Sequence, residues 1–148
     1  MTDFPVVRTV GLSGVLVTFA EAMTGPANRA ALAFRAVVDA EGLPEVRETS
    51  MSLVSVYVVA DLVTVDTNAL IDKLRVLLDQ QDWYAAPLPK GRTLWHIPTV
   101  YGTDLAPQLE EAATVAGLDP DEAIRQLSTT RVRVLTIGFA PGQPYLGG

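Results

Sequence analysis

Val6-Val7-Arg8-Thr9-Val10-Gly11-Leu12-Ser13-Gly14-Val15-Leu16-Val17-Thr18-Phe19 is the stretch on which the fold turns. Two runs of β-branched and aromatic residues flank a four-residue break that holds two glycines. Such side chains suit the pleated surface of a strand and glycine suits the turn between, so the stretch predicts a β-hairpin. Downstream, Thr24-Gly25-Pro26 sets a polar cap before a proline near the first helical position. Ala30, Leu32, Ala33, Phe34, Ala36, Val37 and Val38 fill that helix, and Gly42 ends it. Residues 46–59 predict two further strands, the second running Leu53–Val59. Asp66 or Thr67 then caps a helix that presents Leu70, Ile71, Leu74, Leu77 and Leu78 at helical spacing. The resulting order, β-β-α-β-β-α over residues 4–80, implies helices on one face of an antiparallel sheet.

The character of the chain changes after Gln80. Ala85-Ala86-Pro87-Leu88-Pro89-Lys90-Gly91 holds two prolines and a glycine, the composition of a linker. The expected organisation is therefore an N-terminal α/β sandwich domain over residues 1–84, a linker at 85–91, and a second unit over 92–148. In that unit a strand is expected at Arg92–Pro98, a turn at Tyr101–Asp104 and a helix at Ala106–Ala116. Asp119-Pro120-Asp121-Glu122 combines an N-cap, a first-turn proline and an acidic third residue, a capping box that opens a helix to about Leu127. A strand at Val132–Phe139 and a turn-rich end follow. Two strands are too few to close a sheet. The expectation is that this unit is truncated or is completed by another polypeptide. The fold class is α+β.

Of 148 residues, 49% are apolar and 19% charged, which marks a folded chain and not a disordered one. The net charge is −6 with scattered basic residues, so the counterion-displacing stripe of a nucleic-acid or anionic-membrane binder is missing. No apolar run is long enough to span a bilayer. The first residues lack the order of a signal peptide and cysteine is absent, which makes the cytoplasm the expected compartment.

A family pattern emerges in the second half. Gly91-Arg92, Ile97-Pro98, Tyr101-Gly102, Pro107, Leu109-Glu110-Glu111, Gly117-Leu118, Ser128, Arg133-Val134, Gly138-Phe139 and Pro141-Gly142 keep a characteristic order and spacing, closed by Pro144-Tyr145-Leu146-Gly147-Gly148. Gly14, Asn28, Ser52-Leu53 and Tyr57 join them from the first half. On these positions the chain resembles the KipI/PxpB family, often labelled allophanate hydrolase subunit 1. The resemblance implies a partial cyclophilin-like β-barrel after the N-terminal domain and a KipA/PxpC-like larger subunit as partner. It further implies a role in an ATP-dependent 5-oxoprolinase or a urea-type carboxyltransferase. There are departures. Leu127 stands where the family carries a histidine, Val132 where it has tyrosine, Val100 where it has cysteine and Gln143 where it has phenylalanine. Glu48 and Ser50 replace a proline and a tyrosine.

Candidate site residues divide by chemistry. Tyr101-Gly102 and Gly142 lie in turns after strands, where exposed backbone N–H groups hold carboxylates or oxyanions; equally, such glycines shape turns. Tyr145, an aromatic in a polar loop, suits a ligand or partner contact. Arg131 and Arg133, two apart on an expected strand, share a face and suit a substrate carboxylate or a solvated surface; the resemblance favours Arg133. The resemblance also marks Ser128. His96, the only histidine, fits a structural role, and Glu110, Glu111, Asp119, Asp121 and Glu122 fit helix starts. No catalytic residue, metal ligand set or nucleotide motif is identified, so any ATP used by an assembled complex is expected on another chain. The expectation is a hydrolase subunit, inactive alone, acting on a small cyclic amide or urea-type substrate. The alternative is a binding module that inhibits a histidine kinase, as KipI-like members do.

Overall fold

A computed structural model describes residues 3–147. Its first part runs β1 (Val6–Val10), β2 (Gly14–Thr18), α1 (Gly25–Glu41), β3 (Glu48–Ser52), β4 (Ser55–Val59), α2 (Thr67–Leu78) and a 3-10 turn at Trp83–Ala85. The four strands form one antiparallel sheet in the order β1-β2-β4-β3. The register sets Val15 opposite Val58 and Val17 opposite Val56, so four valines share one face. All four are 0% exposed. Ala27, Ala30, Ala31, Phe34 and Val38 of α1 and Leu70 and Leu74 of α2 join the same core. Small side chains on α1 let the helix approach the sheet closely, and Phe34 fills what remains.

The caps follow from the sequence. Thr24 Oγ1 accepts from the Ala27 N–H at 3.2 Å, and α1 ends at Gly42, whose φ of 59° is left-handed. Of the two candidate caps for α2, Asp66 serves: its carboxylate accepts from the Asn68 and Ala69 N–H groups at 3.0 and 3.1 Å.

The core reaches the end of the expected N-terminal domain at Trp83 and takes in Ala86 of the stretch expected as linker. Trp83 is 3% exposed and Ala86 6%, and both belong to the core. Trp83 stands edge-on to Phe34 with ring centroids 5.1 Å apart, and its indole N–H donates to the Leu78 carbonyl at 2.8 Å. An aromatic anchor of this kind holds the stretch down, and the exposed backbone begins beyond it.

Residues 92–147 carry α3 (Leu109–Val115), α4 (Pro120–Thr129), β5 (Arg133–Ile137) and β6 (Pro144–Gly147). The expected strand at Arg92–Pro98 does not form, because no second strand lies beside it among the described residues to complete a ladder. Instead β5 pairs with β6, drawn from the stretch expected to be turn-rich. Asp119 Oδ1 accepts from the Glu122 N–H at 2.9 Å, but Glu122 does not reach back: its carboxylate holds Arg125 and Gln126, leaving half of a capping box. By contacts, residues 92–133 with 146–148 form one compact unit, and residues 1–91 with 134–145 form the other. No closed barrel is present among the described residues, whose second sheet has two strands.

Candidate functional site

Tyr101, Gly102, Ser128 and Arg133 fall in the unit of residues 92–133, whereas Gly142 and Tyr145 fall in the other. Gly102 and Gly142 have φ of 67° and 77°, left-handed conformations that glycine adopts without strain, so turn geometry explains both. Tyr101 is half-buried just before the first of these turns, and Tyr145 is 43% exposed on β6. Ser128 lies on the exposed side of α4, where its hydroxyl donates to the Ile124 carbonyl at 2.7 Å. Arg133 is half-buried at the first residue of β5. Arg131 precedes the strand, so the two arginines do not share a strand face. His96 is exposed on the extended stretch outside the core.

The first-half family positions have a structural explanation. Tyr57 lies over Gly14, where a methyl group would come within 2.3 Å of the Val58 carbonyl oxygen and 2.8 Å of the Tyr57 ring. The Tyr57 hydroxyl and Ser13 Oγ are 2.8 Å apart. Asn28, 0% exposed, donates its side-chain amide to the Leu53 carbonyl at 2.5 Å and to the Leu135 carbonyl at 3.4 Å.

Two shallow hollows lie on the first unit. One, about 440 Å³, is lined by Pro5, Val6, Val7, Arg75, Leu78 and Asp79. The other, about 170 Å³, runs from Val38 to Thr49 along the α1–β3 connection. None of the six candidate residues lines either. Asp39 and Thr49 of the second hollow's wall belong to a polar cluster that the sequence did not mark. Thr49, 6% exposed, donates to Asp39 and accepts from Arg35 Nε at 3.0 Å. Arg35 and Asp39 stand one helical turn apart, a spacing visible in sequence; their partner on β3 is not.

Perturbed protonation follows local pairing. Lys73 Nζ, 2.5 Å from Glu45, holds that carboxyl below its usual range. Arg125, with help from Gln126, holds the Glu122 carboxyl down at about 2, and Glu122 in turn pushes Arg125 up. Burial, and then the charge of Asp82, push the Tyr84 phenol up; its hydroxyl donates to the Phe19 carbonyl at 2.6 Å. None of these four groups lines a hollow. Among the described residues, no group of three or more His, Asp or Glu side chains gathers to ligate a metal ion.

The sequence profile of the family described as carboxyltransferase domain, subdomain C and D, matches residues 5–148. The chain belongs to that family. Within the KipI/PxpB group, it is 41% identical over 58 residues to a 5-oxoprolinase subunit of Bacillus subtilis (strain 168), a match covering 39% of this chain and 24% of that protein. The chain is similar to the crystal structure of TTHA0988, with a TM-score of 0.64 and 25% identity over 95% of this chain and 25% of the other. It also aligns, at a TM-score of 0.49 and 25% identity, with a conserved uncharacterized protein of Pyrococcus horikoshii, over 97% of this chain and 64% of that one. The aligned part thus spans about a quarter of the curated relative's length.

Proposed function

We propose that this carboxyltransferase-domain chain contributes to a hetero-oligomeric hydrolase of the 5-oxoprolinase type, with no turnover of its own and an active site shared with a KipA/PxpC-like larger subunit. The observation that carries this reading is the family match over residues 5–148, joined to 41% identity over 58 residues with a 5-oxoprolinase subunit. A cyclic amide resists attack by water because its nitrogen lone pair is delocalised. Opening it calls for activation of the amide oxygen, for which ATP on another chain would serve, and for donors that hold a developing oxyanion. In this reading the backbone N–H groups around Gly102 and Gly142 supply such donors, Arg133 holds the substrate carboxylate, and Tyr101 and Tyr145 flank the substrate. Ser128, whose proton is engaged by the Ile124 carbonyl, offers only an acceptor.

We also take residues 92–148 as the first part of a cyclophilin-like barrel. Support comes from Trp95, Ile97, Val134 and Ile137, which are 77%, 78%, 47% and 63% exposed and which a barrel wall would bury. A second reading, a module that binds a histidine kinase without catalysis, is favoured by Leu127, 61% exposed where the family carries a histidine. Reconstitution separates them. The purified chain, mixed with the larger subunit and ATP, should release glutamate from 5-oxoproline, whereas neither component should do so alone. Two folded components that stay inactive together would defeat the enzyme reading.

A further inference from the structure

Asn28 is an unusual residue for its place. It sits in the first turn of α1, 0% exposed, with its backbone N–H already bonded to the Thr24 carbonyl at 3.0 Å. Asparagine is a poor helix former, and a buried amide is costly unless its hydrogens find acceptors. The two hydrogens on Nδ2 find acceptors in two different segments: the Leu53 carbonyl at 2.5 Å and the Leu135 carbonyl at 3.4 Å. Only a primary amide offers two donors from one atom at this length of side chain.

The two acceptors differ in how much else holds them. Leu53, at a φ of 26°, lies in the turn between β3 and β4, and Ser52 and Ser55 on either side are paired strand residues. That turn is fixed by the sheet. The β5–β6 hairpin has no third strand beside it among the described residues; none of its described residues belongs to the buried core, and Val134, Ile137 and Leu146 are 47%, 63% and 56% exposed. A two-stranded hairpin is marginal in water by itself.

We propose that Asn28 is the positioning residue that latches the β5–β6 hairpin to the start of α1, and so sets where Gly142 and Tyr145 are held. The naming of those two residues as substrate contacts rests on the 5-oxoprolinase reading; the latch does not. Without it the hairpin opens locally while the four-stranded core stays closed.

Hydrogen exchange on the full chain tests this without substrate, so failure of the enzyme reading leaves the result untouched. The Gly138 N–H, bonded to the Gln143 carbonyl at 3.1 Å, and the Gln143 N–H, bonded to the Ala140 carbonyl at 3.0 Å, report the hairpin. In Asn28→Ala, and in Asn28→Asp, which sets a carboxylate against two carbonyls, these amides should exchange about tenfold faster or more. Peptides covering 15–19 and 56–59 should keep wild-type protection. Wild-type exchange in the hairpin, or equal acceleration across the core, overturns the proposal. Should neither variant fold, the wild-type chain decides by NMR: Overhauser contacts from the Asn28 side-chain amide protons to Leu135 support the latch, and their absence overturns it.

Discussion

Gly14 is held by what lies above it. Because a β-carbon there would meet the Val58 carbonyl oxygen at 2.3 Å and the Tyr57 ring at 2.8 Å, Gly14→Ala must displace either the strand or the ring. Overpacking of this kind costs about 1–3 kcal/mol, which urea denaturation of the variant should register. Glu122 supplies a prediction in pH. Its carboxyl is held at about 2 against an ordinary 4.5, chiefly by Arg125, so its folded-state value is depressed. The stabilisation is therefore complete above 4.5 and is lost as pH falls through about 2. Carboxyl NMR titration should place Glu122 near the lower value in the wild-type chain and clearly higher in Arg125→Ala, with Gln126 still holding it below the ordinary range. An unchanged titration would deny that Arg125 is the cause. Single residues were unevenly legible. The acidic start of α4 is plain in Asp119-Pro120-Asp121-Glu122, yet the sequence predicts a reciprocal box. Competition from Arg125 and Gln126, one turn further on, draws Glu122 away.

Elements were legible where the pattern is local. The alternation of Val15 and Val17, the cap at Thr24, the stop at Gly42 and the spacing of Leu70, Leu74, Leu77 and Leu78 all rest on neighbours within a few residues, and the structure follows them. Two elements depend on distant partners, and there the sequence misleads. Arg92–Pro98 reads as a strand but has no second strand beside it among the described residues, while Pro144–Gly147 reads as turn and becomes a strand because β5 lies beside it. The end of the first unit is a third case. Trp83 follows the polar run Asp79-Gln80-Gln81-Asp82 in sequence, and only the approach of Phe34 and the Leu78 carbonyl shows it to be core. Trp83→Ala should cost about 3–5 kcal/mol by thermal or urea denaturation, as large buried aromatics do. A loss below about 1 kcal/mol, nearer that of a surface substitution, would contradict a core role for Trp83.

Across the whole chain, burial is divided unequally. Among the described residues the first unit has eighteen buried apolar residues in one cluster, from Val15 to Ala86, whereas residues 92–133 bury only Ala113 and Ala123. Leu94, Trp95, Ile97 and Leu105 are 53%, 77%, 78% and 86% exposed. Limited trypsin treatment should cut first at Lys90 or Arg92, both exposed, beyond the last core residue of the first unit. Apolar exposure on this scale is typical of surfaces that another polypeptide covers. The six candidate residues are divided between the two compact units, four in one and two in the other, and the sequence nominates them by spacing alone. Sedimentation velocity at micromolar concentration, with and without the larger subunit, tests the shared-site account most directly. The chain should associate when alone, and should pass into one defined heteromer when the larger subunit is added. A 15.9 kDa monomer when alone, sedimenting unchanged beside the free larger subunit in the mixture, would contradict the account.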